Sequence, residues 1–222
     1  MQQDDGTLRR ASSVLIIDDH DIVRFALAML VQSCPELQLA GSADTLSHGL
    51  AMIAQTQPDL VISDLGTGDS SGLDTVRALE AAQAPRPVLI VSVHDEMLYG
   101  EQAIALGARG FVMKESAYGS VIPAALNVLR GGVWASPRLN ARLISRIVRS
   151  SRTFAGGAAD PKALSERELK VLELLRSGKS TKEIAKNLDM SIRTVDIHRA
   201  RIKRKLGLRT GAELIAFASS RL

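Results

Sequence analysis

Residues 14–20 of this 222-residue chain read VLIIDDH, four apolar residues followed by two aspartates and a histidine. The first apolar run belongs to a set of five short apolar runs, four of which contain Val or Ile: 13–18, 37–42, 59–64, 87–93 and 110–113. Each run is too short for a helix and therefore predicts a buried β-strand. Helical periodicity occupies the segments between and after them: 21–32, 45–55, 73–82, 96–106 and 117–129.

Strands that are apolar on both faces and alternate with helices indicate a parallel sheet with helices on each side. We therefore predict a doubly wound α/β domain over residues 12–131, with a five-stranded (βα)5 sheet in the order 2-1-3-4-5. In this order the carboxyl ends of the first and third strands are neighbours. Ligands of open α/β sheets bind at such a point.

The rest of the chain is helical in its pattern. Ser136 and Pro137 are a typical helix start, and they predict a helix over residues 137–148. This helix and the Gly- and Ala-rich stretch after it form a predicted linker, residues 132–161. An all-α domain of four helices is predicted over residues 162–222.

Charge differs between the two parts of the chain. Residues 162–222 hold 15 Lys and Arg against 7 Asp and Glu, a net charge of +8. Residues 1–161 hold 13 against 17, a net charge of −4. The basic segment indicates a polyanionic partner such as nucleic acid, and a merely solvated basic surface is the alternative.

The sequence contains neither an apolar run of about 18 residues nor a signal-peptide core at its start. We therefore expect a cytoplasmic protein without a membrane partner. The single cysteine, Cys34, cannot form an internal disulfide, which fits a reducing compartment. Its apolar neighbours predict a place in the core.

Polar side chains end several of the predicted strands. Asp18 and Asp19 end the first strand, Asp64 ends the third, Ser92 ends the fourth, and Lys114 follows the fifth. Three converging carboxylates repel one another unless a cation lies among them, and oxygen ligands with room for water suit Mg²⁺. A carboxylate nucleophile beside a metal and a lysine is an arrangement for phosphoryl transfer, and Asp64 is the predicted nucleophile. For Asp64 taken alone, a helix-capping or solvated aspartate is the alternative.

Three stretches of the first domain resemble the receiver domain of bacterial two-component response regulators. They are residues 14–20 (VLIIDDH), 58–65 (PDLVISDL) and 107–114 (GARGFVMK). The resemblance covers residues 13 to about 130. It implies that Asp64 accepts a phosphoryl group from the phosphohistidine of a sensor histidine kinase.

The same resemblance implies the metal ligands. Asp19 would bind Mg²⁺ directly, Asp18 partly through water, and Asp64 and the Gly66 carbonyl would be further ligands. The family usually has Met-Pro in the following loop, where residues 64–72 here read DLGTGDSSG. Glycines in place of stiffer residues predict a more mobile loop beside the metal.

The resemblance also implies a phosphate switch. Ser92 would move to the phosphate, Lys114 would pair with it, and the ring of Phe111 would turn inward. His20 and His94 are predicted to be surface or loop residues rather than metal ligands, because no Cys or second His has ligand spacing to either.

The second domain contains three capped helices in succession. Ser165 and Ser180 each precede a Glu at the spacing of a capping box, and Ser191 is the predicted N-cap of a helix over residues 192–206. The short break between the second and third helices predicts a helix-turn-helix. The second helix of such a motif enters the major groove of DNA.

The motifs LSxRE, KEIA, SxxTVxxH and KLG, between residues 164 and 207, resemble the DNA-binding domain of LuxR-type regulators. Together with the receiver, they indicate the NarL/FixJ class of response regulators. The predicted DNA-contacting residues are Lys182, Arg193, Thr194, Asp196, Ile197, Arg199, Ala200, Arg201, Lys203 and Lys205. Four of these are expected to face base edges: Asp196, Ile197, Arg199 and Ala200. The family commonly has Lys at position 196, and pairing of Asp196 with Arg193 or Arg199 is the alternative.

A last helix is predicted over residues 210–218. By the resemblance it forms a dimer contact through Leu214, Ile215 and Phe217, and burial of these side chains within the small domain is the alternative. A symmetric homodimer would then read two inverted half-sites about one helical turn apart.

The predicted function is that of a response regulator and not of an enzyme. Phosphorylation of Asp64 would control dimerisation and binding to double-stranded DNA, with RNA polymerase as a candidate further partner. A haloacid-dehalogenase-like phosphatase is one alternative, although its chemistry needs a second Asp where this chain has Gly66. A constitutive DNA-binding protein whose receiver serves only for dimerisation is the other.

Overall fold

The computed structural model describes most of the chain: residues 10–70, 72–152 and 164–221. Contacts group the chain into two compact units. The first comprises the described residues up to Ser92 together with Ala103–Ala135, and the second comprises Val93–Gln102 together with the described residues from Ser136 onward. Residues 153–161 of the predicted linker lie outside the described residues. The predicted domain limits stay predictions.

A five-stranded parallel sheet forms the centre of the first unit, in the order β2-β1-β3-β4-β5. The strands are Ser12–Ile17 (β1), Leu37–Ala43 (β2), Leu60–Ser63 (β3), Val88–Ser92 (β4) and Gly110–Met113 (β5). The predicted sheet and its strand order are confirmed. Strands β3 and β4 are buried along their whole length, as expected for a sheet covered on both faces.

Helices alternate with these strands: Asp21–Gln32 (α1), Leu46–Thr56 (α2), Leu73–Gln83 (α3), Glu96–Ala105 (α4) and Ala117–Leu129 (α5). A short 3₁₀ helix, Lys114–Ser116, precedes α5. Side chains of α1 and α5, including Val31 and Val121, pack with the central strands in one apolar cluster. Cys34 is buried in that cluster, as predicted.

Five helices follow: Pro137–Arg152 (α6), Glu166–Arg176 (α7), Thr181–Asn187 (α8), Ile192–Leu206 (α9) and Gly211–Arg221 (α10). Helix α6 continues past the predicted end at residue 148, because residues 149–152 (RSSR) contain neither Gly nor Pro to stop a helix. None of the helices in the described ranges has the length and apolar character needed to cross a bilayer.

The predicted caps of the helix-turn-helix are present. Ser165 and Ser180 each form a complete capping box, and the Ser191 side chain accepts a hydrogen bond from the backbone of Thr194. The core between α7, α8, α9 and α10 is apolar: Leu169, Leu172, Ile184, Val195, Ile202 and Leu214. These local signals predicted the helix starts correctly because a cap depends on residues only three positions apart.

Part of α4 belongs to the second unit. The Tyr99 hydroxyl donates a hydrogen bond to Glu173 on α7, with 3.1 Å between the oxygens. The Arg142 guanidinium donates to a Glu101 carboxylate oxygen at 2.7 Å. Tyr99 is fully buried, so these contacts give the second unit polar pairs as well as an apolar core.

Candidate functional site

The carboxyl ends of β1 and β3 bring the predicted aspartates together. Asp18 and Asp64 each directly follow one of these two paired strands. The Asp64 N–H donates a hydrogen bond to the Ile17 carbonyl at 2.9 Å, which continues the ladder to the sheet edge. One ligand atom from each of Asp18, Asp19, His20 and Asp64 lies within 4.8 Å of the others. The predicted acidic cluster therefore exists.

Lys114 lies between two of these carboxylates. Its Nζ is 2.7 Å from Asp18 Oδ2 and 2.7 Å from Asp64 Oδ2. Burial alone would lower the pKa of Lys114, but hydrogen bonds from the lysine to Asp18 and Asp64, together with the charges of these carboxylates, outweigh it and raise the pKa. Lys114 therefore remains protonated and balances part of the negative charge of the cluster.

The residues of the cluster fit a divalent cation. Apart from its ion pair with Lys114, the buried Asp18 Oδ2 has no hydrogen-bond partner among the described residues. Asp19 is 35% exposed, which opens the cluster to water on one side. Carboxylate oxygens with access for water are the surroundings that Mg²⁺ prefers. The role of the Gly66 carbonyl as a metal ligand stays a prediction.

The two other predicted switch residues lie on neighbouring strands. Ser92 ends β4, is fully buried, and pairs with Met113, the residue before Lys114. The sheet thus brings the Ser92 hydroxyl to the same edge as Asp64. Phe111 on β5 is 1% exposed, so its ring already belongs to the core in this structure.

The loop after β3 is held in place by Asp69, a residue that the sequence did not single out. Its carboxylate accepts hydrogen bonds from the Leu46 N–H at 2.7 Å and from the Ser47 N–H at 2.9 Å. The Ser47 hydroxyl also donates a hydrogen bond to this carboxylate. The three hydrogen bonds, of which that from the hydroxyl has the largest effect, lower the pKa of Asp69 to about 2. Thr67 and Ser70 exchange backbone hydrogen bonds. The loop predicted to be mobile is therefore tied to the start of α2.

His20 belongs to the cluster more closely than predicted. Its Nδ1 lies 2.7 Å from Asp19 Oδ1 and 3.3 Å from Asp18 Oδ1, while its side chain is 65% exposed. The spacing of His20 to Cys and to other His residues could not predict its place in the cluster, because its partners there are carboxylates. The available signal was its place directly after the aspartate pair. His94 lies in a loop, as predicted, but is buried against Tyr99.

Helix α9 presents one exposed face. Its exposed side chains recur at intervals of three and four residues: Arg193, Asp196, Ile197, Ala200, Arg201 and Arg204. Val195 and Ile202 are fully buried and fix the opposite side of the helix against the domain. Most of the predicted base-facing residues therefore share one exposed surface with three arginines, which we call the α9 face.

Two predicted DNA-contacting residues make hydrogen bonds within the domain. The Arg199 guanidinium donates to Thr181 Oγ1 at 2.6 Å, which ties α9 to the start of α8. The Lys205 ammonium donates to Glu168 Oε2 at 2.6 Å, which ties α9 to α7. Neither side chain lies on the α9 face.

The remaining predicted contacts are placed as follows. Lys182 is exposed on α8, and Lys203 is half-buried. The Thr194 hydroxyl lies 2.7 Å from that of Ser191, in the cap of α9. On α10, Leu214 is fully buried, Phe217 is half-buried, and Ile215 is 48% exposed. Leu214 is therefore a core residue rather than a surface residue.

Comparison with known proteins matches both parts of the chain to family models. Residues 14–125 match the response regulator receiver domain, and residues 162–218 match the bacterial regulatory proteins of the luxR family. The transcriptional regulatory protein UhpA of Salmonella typhimurium is 35% identical over 202 residues, which cover 91% of this chain and 95% of UhpA. Fimbriae Z protein of the same organism is 32% identical over 212 residues, which cover 95% and 98%.

A solved structure is similar over nearly the whole length. It is RcsB from Salmonella enterica serovar Typhimurium, bound to promoter rprA in the presence of the phosphomimetic BeF3⁻. The two chains have a TM-score of 0.70 and 22% sequence identity, and the match covers 95% of this chain and 99% of RcsB. At this identity the similarity concerns the fold.

The matches decide between the predicted classes of protein. The receiver match includes the cluster around Asp64, and the second match includes α7 to α9. The chain is thus a transcription regulator and not a phosphatase. It belongs to the two-component response regulators in which a receiver domain is joined to a LuxR-type helix-turn-helix.

Proposed function

We propose that Asp64 is the phosphoacceptor through which a sensor histidine kinase controls DNA binding by this regulator. The observation that carries the proposal is the position of the Asp64 carboxylate, which is 4% exposed and contacts Lys114 beside Asp18 and Asp19. Of the clustered aspartates, Asp64 stands alone directly after the central β3, while the adjacent pair Asp18 and Asp19 supplies the other carboxylates.

The chemistry follows from this arrangement. A carboxylate oxygen of Asp64 forms a bond to phosphorus as the phosphorus–nitrogen bond of the donor phosphohistidine breaks, and the electron pair of that bond returns to the imidazole. Lys114 pairs with the negative charge of the transferred group. Asp18, Asp19 and Asp64 would hold Mg²⁺, which neutralises charge on the phosphoryl oxygens when it is bound.

The switch acts at the ends of β4 and β5. The Ser92 hydroxyl and the Lys114 ammonium flank the carboxyl edge of the sheet, and both can donate hydrogen bonds to a phosphoryl oxygen. Helix α4 begins four residues after Ser92, so a displacement of Ser92 is passed directly to this helix. Helix α4 contacts α7 through Tyr99, which gives the displacement a route to the DNA-binding helices.

The α9 face is the proposed DNA-binding surface. Its arginines suit the phosphates and base edges of a major groove, and its exposed Ala200 allows the helix to approach closely. We propose that the protein binds double-stranded DNA as a homodimer, with the exposed Ile215 of α10 in the dimer contact. Because bacterial promoters lie in the cytoplasm, we propose that the protein acts there, with RNA polymerase as a further partner.

The phosphoacceptor is tested by intact-protein mass spectrometry after incubation with Mg²⁺ and phosphoramidate. We expect the wild type to gain one phosphoryl group and Asp64→Asn to gain none. Asp69→Asn is the matched control, because Asp69 carries the same charge in the loop after β3 and lies outside the cluster. An unlabelled wild-type protein would refute the proposal.

Regulation is tested by gel shift on a DNA fragment selected by the protein. We expect phosphoramidate to increase the affinity of the wild type and to leave that of Asp64→Asn unchanged. A constitutive regulator would bind equally with and without the donor. Equal binding by a protein that mass spectrometry shows to be phosphorylated would favour that alternative.

A further inference from the structure

The α9 face contains one acidic side chain among arginines and apolar residues. Asp196 is exposed near the N-terminal end of α9, between Arg193 one turn before it and Ala200 one turn after it. A carboxylate on a surface that approaches DNA is repelled by the phosphates and lowers sequence-independent affinity. Its presence therefore calls for a physical reason.

Pairing within the helix does not supply that reason. Among the described residues Asp196 has no ion pair or hydrogen bond, although Arg193 and Arg199 lie at helical spacing from it. The Arg199 guanidinium is directed to Thr181 instead. The carboxylate of Asp196 thus remains available to a partner outside the chain.

The major groove offers few partners to a carboxylate, because such a group only accepts hydrogen bonds. The base-edge donors there are the N4 amino group of cytosine and the N6 amino group of adenine. The adenine donor is adjacent to the N7 acceptor, which repels a carboxylate that approaches the same edge. Cytosine N4 has an acceptor, guanine O6, on the side of its pairing partner only and C5–H on the other side, whereas adenine N6 lies between two acceptors. A carboxylate can therefore approach cytosine N4 without meeting an acceptor.

From this geometry we propose that Asp196 is a specificity-determining residue that selects a cytosine in each half-site by accepting a hydrogen bond from its N4 amino group. The proposal rests on the DNA-binding function proposed above and adds the base that the site requires. The small Ala200 side chain, one turn along the α9 face, leaves room for the helix to bring Asp196 to the base edge. The gain in selectivity offsets the repulsion from the phosphates.

The test is selection of bound sequences from a random double-stranded DNA library, with the full-length protein treated with Mg²⁺ and phosphoramidate. Asp196→Asn retains the shape of the side chain but supplies both a donor and an acceptor, the pattern that suits adenine. We expect one position of each half-site to change from cytosine in the wild type to adenine in the variant. On fixed oligonucleotides, we expect the preference for cytosine over adenine at that position to fall by roughly 10-fold or more.

Asp189→Asn is the matched control. Asp189 is also exposed and lies in the turn before α9 with φ of 50°, a conformation that Asn tolerates well. The control removes the same charge from the same domain, so both variants should gain similar sequence-independent affinity. Only Asp196→Asn should change the selected base.

The outcomes separate the inference from the function on which it rests. If the wild type selects a defined site and Asp196→Asn selects the same site, the assignment of Asp196 is overturned while DNA binding stands. The assignment is equally overturned if Asp189→Asn changes the selected base to the same extent. If the wild type enriches no DNA sequence at all, the proposed function fails together with the inference.

Discussion

Lys205 and Glu168 join the last turn of α9 to the first turn of α7, with 2.6 Å between Nζ and Oε2. The same carboxylate oxygen accepts a hydrogen bond from the backbone N–H of Ser165 at 2.7 Å, so one buried group closes a capping box and anchors α9. Burial opposes the ionisation of Glu168, but the hydrogen bonds from Lys205 and Ser165 outweigh it and lower its pKa.

We therefore predict that Glu168→Gln reduces the free energy of opening α7 by about 2 kcal/mol at neutral pH. Because the folded pKa lies below the unfolded value of about 4.3, this contribution is complete above that pH and is lost as the pH falls through the folded pKa. Hydrogen exchange of the α7 amides at several pH values measures it. Glu183→Gln, in the exposed second capping box, should show a smaller loss at neutral pH. An acid dependence unchanged by Glu168→Gln would contradict the prediction.

Replacement of Lys114 by Met should destabilise the receiver in the absence of metal. It leaves the buried carboxylates of Asp18 and Asp64 without their cation, which costs about 3 kcal/mol for a buried pair that loses one partner. Mg²⁺ should recover part of this loss, so the thermal shift caused by Mg²⁺ should be larger in Lys114→Met than in the wild type. Differential scanning calorimetry with Mg²⁺ and with EDTA provides the comparison. Equal shifts in both proteins would show that the cation does not bind between these carboxylates.

Asp69→Ala should release the loop after β3 from α2. The variant removes the acceptor for the Leu46 and Ser47 N–H groups, so these amides should exchange with solvent faster. Because the pKa of Asp69 is about 2, the wild-type contacts should persist down to about pH 3 and weaken only as the pH falls toward 2. Amide exchange by NMR reports both effects. If the Ser47 amide exchanges as slowly in Asp69→Ala as in the wild type, Asp69 does not hold the loop, and the Thr67–Ser70 bridge alone would order it.

Tyr99→Phe should weaken the contact between α4 and α7. It deletes the hydroxyl that donates to Glu173, at a cost of about 1 kcal/mol. Burial and the neighbouring Glu173 carboxylate raise the pKa of Tyr99, so the phenol remains a donor throughout the physiological range.

If phosphorylation acts through α4, this substitution should raise the DNA affinity of the unphosphorylated protein several-fold. Tyr118→Phe is the control, because Tyr118 is 87% exposed. Fluorescence anisotropy with labelled DNA measures both variants. If phosphorylation changes the DNA affinity of Tyr99→Phe by the same factor as that of the wild type, the signal does not pass through the contact of α4 with α7.

The features predicted best from sequence were those with a strong periodic or local signal. Continuous apolar runs defined the sheet, and the strand-end positions of Asp18, Asp64 and Lys114 placed them at one edge once the strand order was known. The caps at Ser165 and Ser180 were equally clear, because a capping box lies within four residues. In each case the residues that determine the structure lie close together in the sequence or recur at a regular spacing.

The features that escaped prediction depend on partners distant in sequence. Helical spacing placed Arg199 and Lys205 on the DNA-binding helix but could not show that Thr181 and Glu168 already bind them. Leu214 and Ile215 are adjacent in sequence, and only packing distinguishes the buried one from the exposed one. The role of Asp69 likewise depends on α2, more than twenty residues away.

The burial of Asp64 has a consequence for timing. An acyl phosphate decays when water attacks phosphorus, and here the acceptor is 4% exposed and paired with Lys114, while Asp19 and His20 are the exposed members of its cluster. We therefore expect hydrolytic water to reach a phosphorylated Asp64 past these two exposed side chains. Substitutions at residue 20 should then change the lifetime of the acyl phosphate, and with it the duration of the response, while the acceptor chemistry stays the same.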